Sequence, residues 1–142
     1  ENWTAEDVLW QLAQMKGKDV SVLVNNSGGG SYSAGFSIYG ALLAHDGEVK
    51  ITVVGLAASV TSIIALAAKP ENRFVTDGSF YMIHNPSAYG DGEAKELRSR
   101  ADMLDSFREN ALDIYEKNLS PGREEIGEMM DKPSLDFNII EP

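Results

Sequence analysis

Three short stretches carry residue types that could do nucleophilic chemistry. Ser59 ends the run Gly55-Leu56-Ala57-Ala58-Ser59 and is followed by Val60-Thr61-Ser62-Ile63-Ile64. A serine just after a strand and at the opening of a helix suits a nucleophile, because the helix dipole and the next backbone N–H stabilise an oxyanion. The stretch is not G-x-S-x-G, and a serine at a helix start also serves as an N-cap, so on this segment alone both roles stay open. His84 follows Phe80-Tyr81-Met82-Ile83 and precedes Asn85-Pro86. In isolation it reads equally as a hydrogen-bonded packing residue. The chain has only two histidines, and His45, beside Asp46-Gly47 and amid Glu48 and Lys50, reads as solvated. If an imidazole base activates Ser59, His84 is therefore the one left. The third stretch is Asn25-Asn26-Ser27-Gly28-Gly29-Gly30-Ser31. Its glycines fit a plain turn or a platform whose backbone N–H groups face a developing negative charge. It has neither the Lys-Ser/Thr of a P-loop nor the G-x-G-x-x-G spacing, which makes it a poor nucleotide site.

Composition narrows the chemistry. The 142 residues include 12 Lys+Arg and 22 Asp+Glu, a formal charge of −10, with no basic block anywhere. Phosphate backbones bind clustered cations, so nucleic acid is not an expected partner. The absence of cysteine excludes a disulfide framework, a thiolate nucleophile, an iron–sulfur cluster and any zinc site that uses sulfur. No metal or cofactor is called for. The length allows one compact domain over 1–142 with a real core. The first residue is Glu1 and no signal-type apolar stretch follows, so a processing boundary and a cytoplasmic location are the expectations.

The elements that must position these stretches follow an α/β grammar. Thr4 with Asp7 is capping-box-like, and Val8, Leu9, Leu12 and Met15 give a helical stripe ending near Gly17. Asp19-Val20-Ser21-Val22-Leu23-Val24 reads as a parallel strand covered on both faces. After the glycine loop, Phe36, Ile38, Tyr39, Leu42 and Leu43 mark a helix closed by His45-Asp46-Gly47. The uncharged run from Ile51 to Ala68, flanked by Lys50 and Lys69, just meets the length of a membrane span. Its β-branched start, Gly55 and Ala-rich second half instead predict strand, tight turn and buried helix, so no membrane is expected. Short strands follow around residues 73–75 and 80–83, then a long amphipathic helix from Glu93 to about Lys117, and a last helix from Ser120-Pro121 through Met130.

Taken together, Asn26-Ser27-Gly28-Gly29-Gly30 with Ala34-Gly35-Phe36-Ser37-Ile38-Tyr39, Gly55-Leu56-Ala57-Ala58-Ser59, and Met82-Ile83-His84-Asn85-Pro86 occur in an order and spacing that resemble the Clp protease proteolytic-subunit (ClpP) family. The resemblance is closest to its phage-associated, prohead-protease-like branch and spans about Asp19 to Met130. It implies a ClpP/crotonase-like fold of repeated β-β-α units with the helix over 93–117 as a handle between stacked rings, typically of seven subunits. It further implies Ser59 as nucleophile, His84 as general base, and the N–H groups of Gly30 and Val60 as oxyanion hole. Gly28, Gly29, Ser31 and Asn85 would bind the substrate strand. Polypeptides would be the substrates, and an AAA+ unfoldase or phage capsid proteins the partners. The activity implied is ATP-independent peptide-bond hydrolysis, in protein degradation or capsid maturation.

Two departures from the family pattern stand out. Ser27-Gly28-Gly29-Gly30 replaces the usual Ser-Pro-Gly-Gly, removing the proline that stiffens the platform. An ungapped count to the third triad residue lands on Pro133, which cannot orient an imidazole, so Asp131 is the expected acid, with Asp136 the other nearby carboxylate. Two further classes remain open: a catalytically silent assembly subunit, and a crotonase-type acyl-CoA enzyme, which shares a paired N–H oxyanion hole but needs carboxylates beside it.

Overall fold

The computed structural model describes residues 4–132. Helix α1 (Ala5–Gln14) opens on a capping box. The Thr4 hydroxyl accepts from the Asp7 N–H, and the Asp7 carboxylate accepts from the Thr4 N–H. There follow β1 (Val20–Ser27), α2 (Tyr32–Leu43), β2 (Val49–Ala58), α3 (Val60–Ile64), a 3-10 turn at Pro70–Asn72, β3 (Arg73–Val75), β4 (Phe80–Met82), α4 (Ala94–Asn118) and α5 (Arg123–Asp131). This is the mixed α/β layout with a long helix that the sequence predicts. No described helix is long and apolar enough to cross a membrane.

The four strands form one parallel sheet organised around β2. One edge of β2 carries β1. The other carries β3 against Ile51–Val53 and then β4 against Leu56–Ala58. The change of partner falls at Gly55, whose φ of +78° bends β2 without ending it. On the β1 side the register slips between Asn25 and Ser27, where Asn26 has φ +48°. Gly55 is thus a kink inside a strand and not the expected tight turn. The strand reading also stops too early: Ala57 and Ala58 pair with Tyr81 and Met82, so tertiary pairing overrides alanine's helix preference and leaves α3 only five residues.

Other expectations need smaller corrections. Among the described residues β1 is covered on one face only. Its residues alternate, with Val20 and Val24 buried and Leu23 64% exposed, because successive side chains point to opposite faces and Leu23 lies on the uncovered one. The last helix starts at Arg123 with Gly122 as its N-cap, because Ser120 and Pro121 are used in the connection from α4. His45 is half-buried, with its Nε2 2.8 Å from the Lys18 carbonyl, so it braces the α2–β2 loop.

The core lies between the sheet and the helices that cover it, with Ile51, Ala57, Ile63, Ala111, Tyr115 and Ile126 almost fully buried. Helices α2 and α3 meet closely at Gly35, where an added Cβ would lie 2.1 Å from Val60 Cγ2. At Gly40 of the same helix, nothing lies within 4 Å of an added Cβ. In urea denaturation, Gly40→Ala should therefore stabilise by up to about 1 kcal/mol through helix propensity. Gly35→Ala has the same intrinsic gain but forces overpacking worth about 1–3 kcal/mol, and is expected to destabilise. Equal effects of the two substitutions would remove the close α2–α3 contact from the description.

Candidate active site

Strand β4 delivers both candidate groups to one end of the sheet. Ala58 is in register with Met82, and the Ser59 N–H donates to the Met82 carbonyl at 2.9 Å, so Ser59 leaves β2 beside the segment that leads to His84. Ser59 occupies the N-cap position of α3, yet its side chain makes no capping bond. Its backbone is at φ 58°, ψ −135°, in a region that non-glycine residues rarely adopt. Such a conformation costs about 1–3 kcal/mol and persists only where the surroundings enforce it. The cap alternative left open by the sequence is thus not realised.

The glycine loop closes over this residue. Gly29 has φ +96°, and a Cβ there would meet Ser59 Cβ at 2.5 Å and Ser59 Oγ at 3.1 Å. Only glycine permits that approach. Among the described residues, neither the Gly30 N–H nor the Val60 N–H has a hydrogen-bond partner. Val60 is the first residue of α3, where an orphan donor is expected. Gly28 borders open space, and the Ser31 hydroxyl caps α2 by accepting from the Ala34 N–H. A cleft of about 550 Å³ opens beside this platform, lined in part by Gly29, Gly30, Ser31, Val60 and Thr61, while Ser59 and His84 lie outside its lining.

One residue that the sequence reading passed over joins the two candidates. Tyr32, the first residue of α2, is buried and stacks on Phe107 of α4 with ring centroids 5.8 Å apart. Its hydroxyl donates to the His84 carbonyl at 3.2 Å. Burial raises the Tyr32 pKa, and the adjacent Ser59 hydroxyl partly opposes the rise. Its only sequence signal was an aromatic residue directly after the glycine loop, where a helix was expected. Among the described residues, no hydrogen bond joins Ser59 Oγ to the His84 ring.

Asp131 is bonded to Asn85, the residue after His84, and among the described residues makes no hydrogen bond to the His84 ring. Its Oδ1 accepts from Asn85 Nδ2 at 2.7 Å and from Arg108 Nη2 at 3.3 Å, and Arg108 Nε donates to Asn85 Oδ1 at 2.9 Å. The Asn85 N–H donates to the Met130 carbonyl at 3.1 Å. The Asn85 amide is therefore committed within the fold. Nothing in the sequence linked Arg108, on the face of a long helix, to this cluster. Pro133 and Asp136 lie outside the described residues.

Comparison with known proteins fits these features. Residues 2–135 match the family described as Clp protease. The chain belongs to the Clp protease family. It is 35% identical over 126 residues to the ATP-dependent Clp protease proteolytic subunit 1 of Chlamydia abortus, covering 87% of this chain and 66% of that protein. Against the ATP-dependent Clp protease proteolytic subunit of Ligilactobacillus salivarius it is 37% identical over 97 residues, covering 68% of this chain and 49% of the relative. A ClpP1 point mutant from Listeria monocytogenes superposes with a TM-score of 0.79 at 28% identity, over 94% of this chain and 77% of that one. The chain spans just under two thirds of the length of its Chlamydia abortus relative, 66%.

The Asp131 cluster makes a pH prediction for this family member. The Asn85 bond and then Arg108 hold the Asp131 carboxyl below its ordinary value of 3.8. A depressed folded-state pKa gives stability that is complete above the unfolded value and lost as pH falls through the folded one. The acid limb of a thermal-melt series should therefore be shallower in Asp131→Asn than in the parent, with no difference near neutrality beyond a constant offset. Parallel acid limbs would show that the carboxylate is not selectively bound in the folded state.

Proposed function

We propose that the chain is a ClpP-type serine endopeptidase subunit. The observation that carries this reading is the enforced positive-φ conformation of Ser59, which serves no cap and lies under the Gly29 approach. In the proposed reaction, His84 takes the Ser59 proton, the hydroxyl attacks a peptide carbonyl, and the N–H groups of Gly30 and Val60 hold the oxyanion. Protonation of the leaving amine by His84 gives an acyl-enzyme that water releases. The backbone of Gly28 to Gly30 would pair with an extended substrate beside Ser31, whose own carbonyl accepts from the Gly35 N–H, favouring broad sequence tolerance.

Asp131 was expected as the acid; in this reading it acts through Asn85, bracing the residue after the base. A triad without its orienting carboxylate is slowed by about 10⁴ in kcat, while oxyanion and binding terms still act. That engagement of Asp131 is also the specific observation in favour of a silent assembly subunit. The crotonase alternative has less support, since the cleft beside the platform is lined by one carboxylate, the exposed Glu6.

In this reading the substrates are polypeptides, the subunits form a ring and the location is cytoplasmic, with family membership as the support for each. The N-terminal half of α4 supports the ring. It is solvent-exposed in the single chain, with Leu97 42% and Met103 45% accessible, whereas Ala111, Leu112 and Tyr115 are buried in the core. An AAA+ unfoldase partner rests on family resemblance, and a role with phage capsid proteins on the residue resemblance alone.

A fluorophosphonate probe should label Ser59, identified by peptide mapping, and Ser59→Ala should abolish labelling while His84→Ala lowers it by orders of magnitude. Labelling that is absent, with rings still formed, would favour the silent subunit; thioester turnover without a serine adduct would favour the crotonase class. Separately, the pair Leu97→Asp and Met103→Asp should reduce the mass measured by light scattering without lowering the melting temperature of the subunit. An unchanged mass would remove α4 from the assembly interface.

A further inference from the structure

The carbonyl of Ser59 is gripped from the core side. It accepts from the Ser62 N–H at 3.0 Å and from the Ser62 hydroxyl at 2.5 Å. The Ser62 hydroxyl has one proton, and it is used on Ser59. At its 2.7 Å contact with Tyr115 it is therefore the acceptor, and the Tyr115 hydroxyl donates. The Tyr81 hydroxyl of β4 in turn donates to the Ser62 carbonyl. Ser62 and Tyr115 are fully buried and Tyr81 is 6% exposed. Burial raises the pKa of both phenols, keeping them protonated and able to donate.

A serine that bonds back to a carbonyl three residues earlier is an ordinary local feature of helices. The added element here is Tyr115, which lies 53 residues from Ser62 along the chain and belongs to α4. The geometric consequence follows from peptide planarity. The Ser59 carbonyl and the Val60 N–H belong to one trans peptide unit and point in opposite directions. Holding the carbonyl against Ser62 in the core aims the Val60 N–H away from the core.

We propose that Ser62 and Tyr115 are positioning residues that set the direction of the Val60 N–H as an oxyanion donor. This deepens the peptidase reading and rests on it. Neither residue touches substrate; both act through the Ser59–Val60 peptide plane. An oxyanion donor acts on the transition state and not on the bound ground state, so a misaimed donor lowers the chemical step and leaves binding alone. A purely structural role for the same hydroxyls would lower stability and leave the chemical step alone.

The test is the rate of Ser59 phosphonylation by the fluorophosphonate probe, resolved into its limiting rate and its half-saturation concentration, with melting temperatures measured in parallel. Removing an oxyanion donor outright costs about 10²–10³ in rate; Ser62→Ala, which only frees its direction, should lower the limiting rate about tenfold, with half-saturation changed by less than about twofold. Tyr115→Phe should give a smaller fall in the same direction, since Ser62 still holds its own proton. Ser62→Ala also strands the Tyr115 hydroxyl in the core, so the double variant Ser62→Ala with Tyr115→Phe should regain part of the lost melting temperature. Its limiting rate should stay low. Recovery of the rate together with the melting temperature, or parental rates in all three variants, would overturn the proposal while leaving the peptidase reading intact. Failure of the parent itself to label would overturn both.

Discussion

The main-chain conformation of Ser59 is the constraint on which the proposed chemistry depends. At φ 58°, ψ −135° it is unfavourable by itself, and three separate restraints maintain it: the N–H is tied to the Met82 carbonyl, the carbonyl to Ser62, and the side-chain face is closed by Gly29. Each restraint comes from a different element. The conformation therefore exists only when β4, α3 and the glycine loop are assembled together. A one-residue slip between β2 and β4 would exchange buried for exposed faces and detach Ser59 from Met82, so the parallel register of a three-residue strand is what places Ser59.

Helix α4 is the second frame around the site. Its C-terminal half is bolted to the core by Tyr115, and its Asn118 side chain accepts from Arg73, which also donates to the Leu66 and Ala68 carbonyls after α3. Further toward its N-terminus, Phe107 stacks on Tyr32 and Arg108 reaches Asn85 and Asp131. Helix α4 thus touches Tyr32 after the glycine loop, Ser62 behind the Ser59 carbonyl, and Asn85 next to His84. Among the described residues, Leu97 and Met103 of its N-terminal half stay exposed, and Arg100 donates to the Tyr89 carbonyl of the preceding loop. On the solvent face, Arg123 of α5 bridges Glu109, Asp113 and Glu116, of which Asp113 contributes most to raising the guanidinium pKa.

What was legible in the sequence was what local pattern and short motifs encode. The long helix, the capping box at Thr4 and the succession of strands are periodic or capped signals, and they lie where expected. The Gly55 segment was misread because a glycine followed by alanines has the same local preference whether it ends a strand or bends one; only the distant partner β4 decides. β1 looked two-sided because Leu23 is apolar on a face that no described element covers, a fact about neighbours and not about composition. Ser59, His84 and the glycines stood out because three short motifs fall in one order and spacing, although each residue type is ordinary at its own place. Tyr32, Ser62, Tyr115 and Arg108 did not, since a buried hydroxyl or an arginine on a helix acquires meaning only through the residue it meets.

For His84 as the proposed base, position and orientation are separate requirements. Its backbone is pinned on both sides: Tyr32 donates to the His84 carbonyl, and the next N–H, of Asn85, donates to Met130. Those bonds fix where the imidazole starts, but they do not choose its tautomer, because no backbone bond distinguishes the two ring nitrogens. That choice needs an acceptor on the far side of the ring. The expected acid, Asp131, accepts from Asn85 and Arg108. Its charge is therefore engaged by the residue after His84. The β2–β4 register is enough to bring a serine and a histidine to one end of the sheet; fast turnover additionally requires an acceptor for the imidazole, and only that second requirement separates a rapid peptidase from a slow one built on the same frame.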